Sequence, residues 1–292
     1  MGTEFDRRTE DLGNIVELGH VNTRVPDQYP ATLFYVTALG LTRDPYLMTG
    51  ITNMWVNVGR SQFHLPRGAA QVLAGRVGLV VPDRAALLNR LAAAREPLAG
   101  SAFAFREAER FVEAVSPWGN VIRLHAPGPD FGRVTLGMAY VELDVAPGTA
   151  EAIAVFYRDI LHAPAEPGMD AEGRFVRVVA GIDQHLVYRE TERPIPPYDG
   201  AHVQITLVDF SGPHRRLAER GLITEESDAH QYRFETLVDP RDGRALARFE
   251  HEVRSLRHPL YARPLVNRNP FQSNRRFAPG HEDWPWAMAP EA

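Results

Sequence analysis

The sequence predicts an α+β protein built from four copies of one strand–helix–strands unit. Three observations carry this reading. The same order of elements recurs four times along the chain. The strand openings "GHVNTRV" (residues 19–25) and "AHVQITLV" (residues 201–208) are near copies. Aligning the first strands places His20, Arg76, Tyr140 and His202 at one equivalent position, separated by 56, 64 and 62 residues. A period of that length marks a supersecondary unit that buries its apolar face only against further copies of itself.

Each unit reads the same way. In the first, residues 15–25 form a strand, 29–41 a short amphipathic helix ending at Gly40, and 53–59 and 61–66 two further strands. The second has a strand over 75–83, a helix over 84–94, and strands over 110–116 and 121–127 joined by the turn "PWGN". The third has a strand over 139–148, a helix over 150–161, and strands over 174–181 and 184–190. The fourth has a strand over 201–209, a helix over 212–221, and strands over 232–240 and 244–253 around the turn "RDG". The Gly/Pro-rich stretch "HAPGPDFGR" reads as the join between halves. The expected divisions are 14–128 for the first pair of units, 134–253 for the second, and 254–292 for an irregular C-terminal arm. The arm's spaced prolines and aromatics suit a segment that covers a cup or a subunit interface.

Composition excludes several functions. A net charge of −5 supplies no basic field for phosphates, so nucleic acid is not an expected partner. Cysteine is absent, which removes disulfides, thiol nucleophiles and zinc–thiolate sites. Any metal must therefore be held by His, Asp, Glu or Tyr. No apolar run approaches the roughly 20 residues of a membrane span, and "MGTEFDRRTEDLGN" lacks an apolar segment behind its charges. No membrane association is expected, and a cytoplasmic location is the default.

The four units, the helix motifs "FYVTALGL" and "FYRDILHAP", and the turns "SPWGN" and "VDPRDG" together resemble the vicinal oxygen chelate superfamily. That superfamily includes glyoxalase I, type I extradiol ring-cleaving dioxygenases, and fosfomycin and bleomycin resistance proteins. The resemblance covers about residues 14 to 253. It implies βαβββ units paired into two curled-sheet cups, with metal ligands on the first and last strand of each unit and a small-molecule substrate. Members often dimerise, so a homodimer is one expectation, although four units already close two cups in one chain.

The ligand positions implied by the resemblance fall as follows. Unit one offers His20 and His64, and unit four offers His202. On the last strand of unit four, counting from Gly243 reaches Ala247, while the acidic run "FEHEV" favours Glu250 and also contains Glu252. Unit two has Arg76 and Arg123, and unit three has Tyr140 with Leu186 or His185. Arginine stays protonated and cannot ligate a metal. The expected metal set is therefore His20, His202 and Glu250, in a cup formed by units one and four. His64 is either a fourth ligand or a catalytic proton-transfer group. Two imidazoles and a carboxylate leave positions open for a bidentate oxygen substrate and for dioxygen. The leading expectation is an iron(II) dioxygenase cleaving a catechol-like ring. The alternatives are a glyoxalase-like isomerase or lyase using zinc, manganese or nickel, and a metal-free binder of small aromatic ligands whose histidines only support the fold.

Overall fold

The computed structural model describes residues 5, 7–44, 47, 52–263 and 265. Of the arm expected over 254–292, residues 264 and 266–292 lie outside the described residues. Unit one comprises β1 (Ile15–Asn22), α1 (Gln28–Ala31), β2 (Thr42–Arg43), β3 (Asn53–Val58) and β4 (Ser61–Pro66). Unit two comprises β5 (Gly75–Val80), α2 (Arg84–Ala93), β6 (Ala104–Glu107), β7 (Val112–Val115) and β8 (Val121–His125). Unit three comprises β9 (Gly137–Val145), α3 (Ala150–Phe156), β10 (Ala165–Asp170), β11 (Gly173–Val179) and β12 (His185–Glu190). Unit four comprises β13 (His202–Leu207), α4 (Ser211–Ala218), β14 (Ile223–Asp228), β15 (Gln231–Val238) and β16 (Ala245–Ser255).

α1 and α2 start where a short acidic side chain caps them. Asp27 accepts from Tyr29 N at 2.8 Å and Asp83 from Ala86 N at 2.9 Å. α1 and α3 run on into π-helical turns, Thr32–Ala38 and Tyr157–Leu161, which carry most of the two "FY" motifs. Phe34, Tyr35, Phe156 and Tyr157 are all fully buried there and at the junction with α3. Each such ring contributes about 1.5–3 kcal/mol relative to exposure.

Four strands were not foreseen: β2, β6, β10 and β14. They are the outer strands of the two sheets, which run β14-β15-β16-β13-β1-β4-β3-β2 and β10-β11-β12-β9-β5-β8-β7-β6. An edge strand with little apolar burial leaves no alternation to read: β14 ("ITEESD") is exposed at all but its first residue. The first sheet joins units four and one, and the second joins units three and two. A continuous apolar core, with the helices embedded in it, lies between the sheets; α3 packs against β11 of one and β15 of the other. A buried polar cluster crosses the same layer, where Tyr157 Oη lies 2.5 Å from Tyr188 Oη and 2.6 Å from His251 Nε2.

The central pairing of each sheet follows one rule. In the first, antiparallel β1 and β13 set His20 opposite Gln204 and Asn22 opposite His202. In the second, β5 and β9 set Arg76 opposite Glu142 and Gly78 opposite Tyr140. A local two-fold therefore relates His20 to His202 and Arg76 to Tyr140, the equivalence expected from the sequence.

Candidate metal centre

The two-fold extends to the last strands. Parallel β4 sets Gln62 beside His20 and His64 beside Asn22, while parallel β16 sets Glu250 beside His202 and Glu252 beside Gln204. Glu252 is therefore the counterpart of His64, and Glu250 the counterpart of Gln62. His20, His202 and Glu252 are all buried, and one donor atom from each lies within 4.8 Å of the others. This is the one such group of three among the described residues.

Glu250 stands to one side of that group. Its Oε1 lies 3.2 Å from His202 Nδ1 and 2.5 Å from Arg233 Nη1. Counting along "FEHEV" cannot separate the two glutamates, because both point to the same face of β16. The strand register separates them. Contact with Glu250 favours a proton on His202 Nδ1, which leaves Nε2 as the donor atom. Asn22 Nδ2 lies 3.3 Å from the same Nδ1, and Asn22 Oδ1 has no partner.

The remaining geometry suits an ion. The Nε2 atoms of His20 and His202 are buried without hydrogen-bond partners, a costly arrangement unless something else occupies their lone pairs. Burial pushes the His20 imidazole well below its ordinary pKa, so it is a neutral donor. Glu252 Oε2 lies 3.5 Å from His202 Nε2, outside hydrogen-bond geometry. Burial opposes ionisation of Glu252, yet His202, His20 and Arg254 hold it well below the usual carboxylate range. Arg233 Nη2 at 2.7 Å and Arg254 Nη2 at 2.6 Å also grip this carboxylate, one on each oxygen. Two imidazoles and one carboxylate match a first-row divalent ion and not calcium or magnesium, which take oxygen donors.

His64 adjoins the group without being part of it. Its ring stacks on Trp55 at 3.8 Å and 13°, meets His20 edge-on at 5.7 Å, and its Nε2 lies 2.7 Å from Asn53 Oδ1. Burial brings His64 down to about 3, away from the near-neutral titration of a free imidazole. Trp55 is the wall behind His64. Phe63 is fully buried in the core, whereas Phe111 lies under the Arg123 guanidinium at 4.4 Å.

The second sheet places different chemistry at the same positions. Arg76 and Arg123 both bind Glu172, at 2.6 and 2.7 Å, and Arg76 also pairs with Glu142. Tyr140 Oη contacts His125 Nε2 at 3.0 Å, and Val187 takes the place of Glu252. His185, near Arg177 and Asp183, belongs to no donor group.

A cavity of about 570 Å3 reaches His20 from the side, lined by Glu17, Gln62, Gln204, Thr206 and Arg254 among others. The described end of the arm, Leu260 to Arg263 with Leu265, forms part of its wall. Arg263 is buried against Asp44 and lies 3.2 Å from Gln62 Oε1, while Asn57 Nδ2 donates to Leu265 O at 3.0 Å. No helix among the described residues is long and apolar enough to cross a membrane.

No protein-family model and no curated protein matches this sequence. Solved structures do match. Glyoxalase I from Zea mays aligns with a TM-score of 0.56 at 16% identity, over 83% of this chain and 93% of that one. A candidate dioxygenase from Bacillus subtilis aligns with a TM-score of 0.52 at 18% identity, over 82% of this chain and 86% of that one. With its repeated βαβββ units and its two curled sheets, this chain shares the fold of these structures, the fold that its sequence resemblance implies.

Proposed function

We propose that this chain is a cytoplasmic, metal-dependent enzyme acting on a small molecule that presents two oxygen atoms to a divalent ion. The observation that carries the reading is the buried group of His20, His202 and Glu252, with two imidazole nitrogens lacking partners. The leading reaction is extradiol cleavage of a catechol-like ring with iron(II), because two imidazoles and one carboxylate form the ligand set of non-haem iron oxygenases. Such an ion would polarise the substrate oxygens and bring dioxygen beside them.

The protein's own groups divide the remaining work. His20 and His202 offer Nε2, Glu252 offers charge, and Glu250 fixes the His202 ring through Nδ1. His64 is the catalytic neighbour: anchored through Nε2 on Asn53, it keeps Nδ1 as an acceptor for a substrate hydroxyl. Trp55, stacked on His64, keeps water off that side.

One observation favours a second reading. His64 is the register counterpart of Glu252, so a small shift of its ring would complete a set of four donors, suited to a glyoxalase-like isomerase using zinc, nickel or manganese. Metal analysis of protein purified without chelator, followed by reconstitution, tests both. Iron-dependent oxygen uptake with catechols supports the dioxygenase. Metal-dependent conversion of hemithioacetals without oxygen uptake supports the isomerase. Failure to hold any of these ions sinks both and leaves a binding protein.

A further inference from the structure

We propose that Glu17 is a further catalytic group of this site, the carboxylate that accepts a proton from a substrate hydroxyl; the inference rests on the metal-enzyme reading above. Glu17 and His20 lie three residues apart on β1, and in a regular strand side chains three apart face opposite sides. Here they line the same cavity. The reason is the register shift between Leu18 and His20, which sets Glu17 opposite Thr206 and His20 opposite Gln204, two residues on one face of β13. A bulge re-aims a side chain at the cost of ladder hydrogen bonds, and it is common beside active sites for that reason.

The backbone beside the bulge is held from the other half of the molecule. Gln184 Oε1 accepts from Leu18 N at 3.2 Å, and Gln184 Nε2 donates to Leu18 O at 3.2 Å, so a side-chain amide stands in for a strand residue. The distorted strand is thus built in. It delivers a carboxyl to the cavity that touches His20.

The surroundings of Glu17 suit proton transfer. Thr206 Oγ1 donates to Glu17 Oε2 at 3.0 Å and accepts from Gln204 Nε2 at 3.0 Å, and Gln204 is the residue opposite His20. Facing Glu17 are Arg254 from β16, Arg60 from the β3–β4 turn and Arg263 from the arm. Arg133 and Asp183 line the cavity beyond. Burial lifts Glu17 above the usual carboxylate value despite the Thr206 bond and these arginines, which brings its basicity closer to neutral pH. In the step, the substrate O–H bond breaks, its electron pair stays on the substrate oxygen, and a new O–H bond forms on Glu17. The proton returns to solvent through the cavity when product leaves.

The test counts protons. Zinc, which does no redox chemistry, is loaded into the protein, and catechol binding is followed by titration calorimetry in two buffers of different ionisation enthalpy. Wild type should release almost no proton to buffer near neutral pH, because Glu17 keeps it. Glu17→Gln should bind zinc equally and release about one proton more, while Glu17→Asp should restore retention. Should Glu17→Gln fail to fold, wild type alone decides: release must climb as pH falls through the raised Glu17 pKa, and a flat profile overturns the inference. Zinc-loaded protein that binds no catechol, or that gives the same count in both forms, overturns the Glu17 role alone. Protein that holds no zinc overturns it together with the metal reading.

Discussion

The two sheets share strand order and register, yet at four equivalent positions one carries His20, His64, His202 and Glu252 and the other Arg76, Arg123, Tyr140 and Val187. In the first sheet two imidazole nitrogens are left without partners. In the second, the arginines are closed off by Glu142 and Glu172. The fold tolerates both because these side chains project from the polar faces, away from the apolar layer the sheets share. The difference teaches that register sets where a site lies, while residue type at four positions sets whether it has donors.

Breaking the first sheet should have the largest effect. His202→Ala is expected to cut bound metal by at least an order of magnitude while the protein stays folded, whereas Arg76→Ala in the second sheet should leave metal content unchanged. Elemental analysis with circular dichroism checks both, and equal metal in the two variants would sink the asymmetry. Next is the contact joining the sheets. Gln184→Ala leaves the buried Leu18 amide without its partner, while Leu18 O keeps Ser61 Oγ, so about 1–3 kcal/mol of stability should be lost. Zinc affinity should weaken with it, because Leu18 precedes the bulge that presents His20. Denaturant melts and metal titration of the same sample measure the two effects.

Smaller effects belong to the second sheet. Burial brings His125 and His185 down to about 4 from an ordinary 6.5. Depressed folded-state values mean that the unfolded chain binds protons first, so the stabilisation from these groups is complete above 6.5 and is lost as pH falls toward 4. The urea midpoint should decline over that window, and His185→Gln should flatten the decline; an unchanged slope would remove His185 from the account. The smallest change is expected for Glu172→Gln. Glu172 is 42% exposed where it bridges Arg76 and Arg123, so about 1 kcal/mol or less should be lost, with no change in metal binding.

Much of this comparison is legible in the sequence, and the gaps have physical causes. The spacing of His20, Arg76, Tyr140 and His202 marks the repeat because first strands are central, buried and rigidly paired. β6 and β14 are invisible because polar edge strands have no apolar alternation. The choice between Glu250 and Glu252 depends on which neighbour each faces, a property of pairing that one strand's sequence does not contain. Glu17 is hidden for a related reason: an ideal strand turns it away from His20, and only the bulge between Leu18 and His20 brings it round. Arg233, which grips both glutamates, lies on a neighbouring strand where nothing in its own segment points to the site.

The crossing of units between sheets also orders events during synthesis. β5 and β9 meet across a short stretch of chain, so the second sheet can assemble once unit three has emerged. β1 must wait for β13, some 180 residues later, and the sheet then waits for β16 before it closes. Contacts so distant in sequence are slow to form. The sheet without donors therefore serves as the early scaffold on which the other is completed, and the incomplete first sheet carries the unpaired edge of β1 through most of translation. On the proposed function, metal capture would come last, because Glu252 arrives on the final strand.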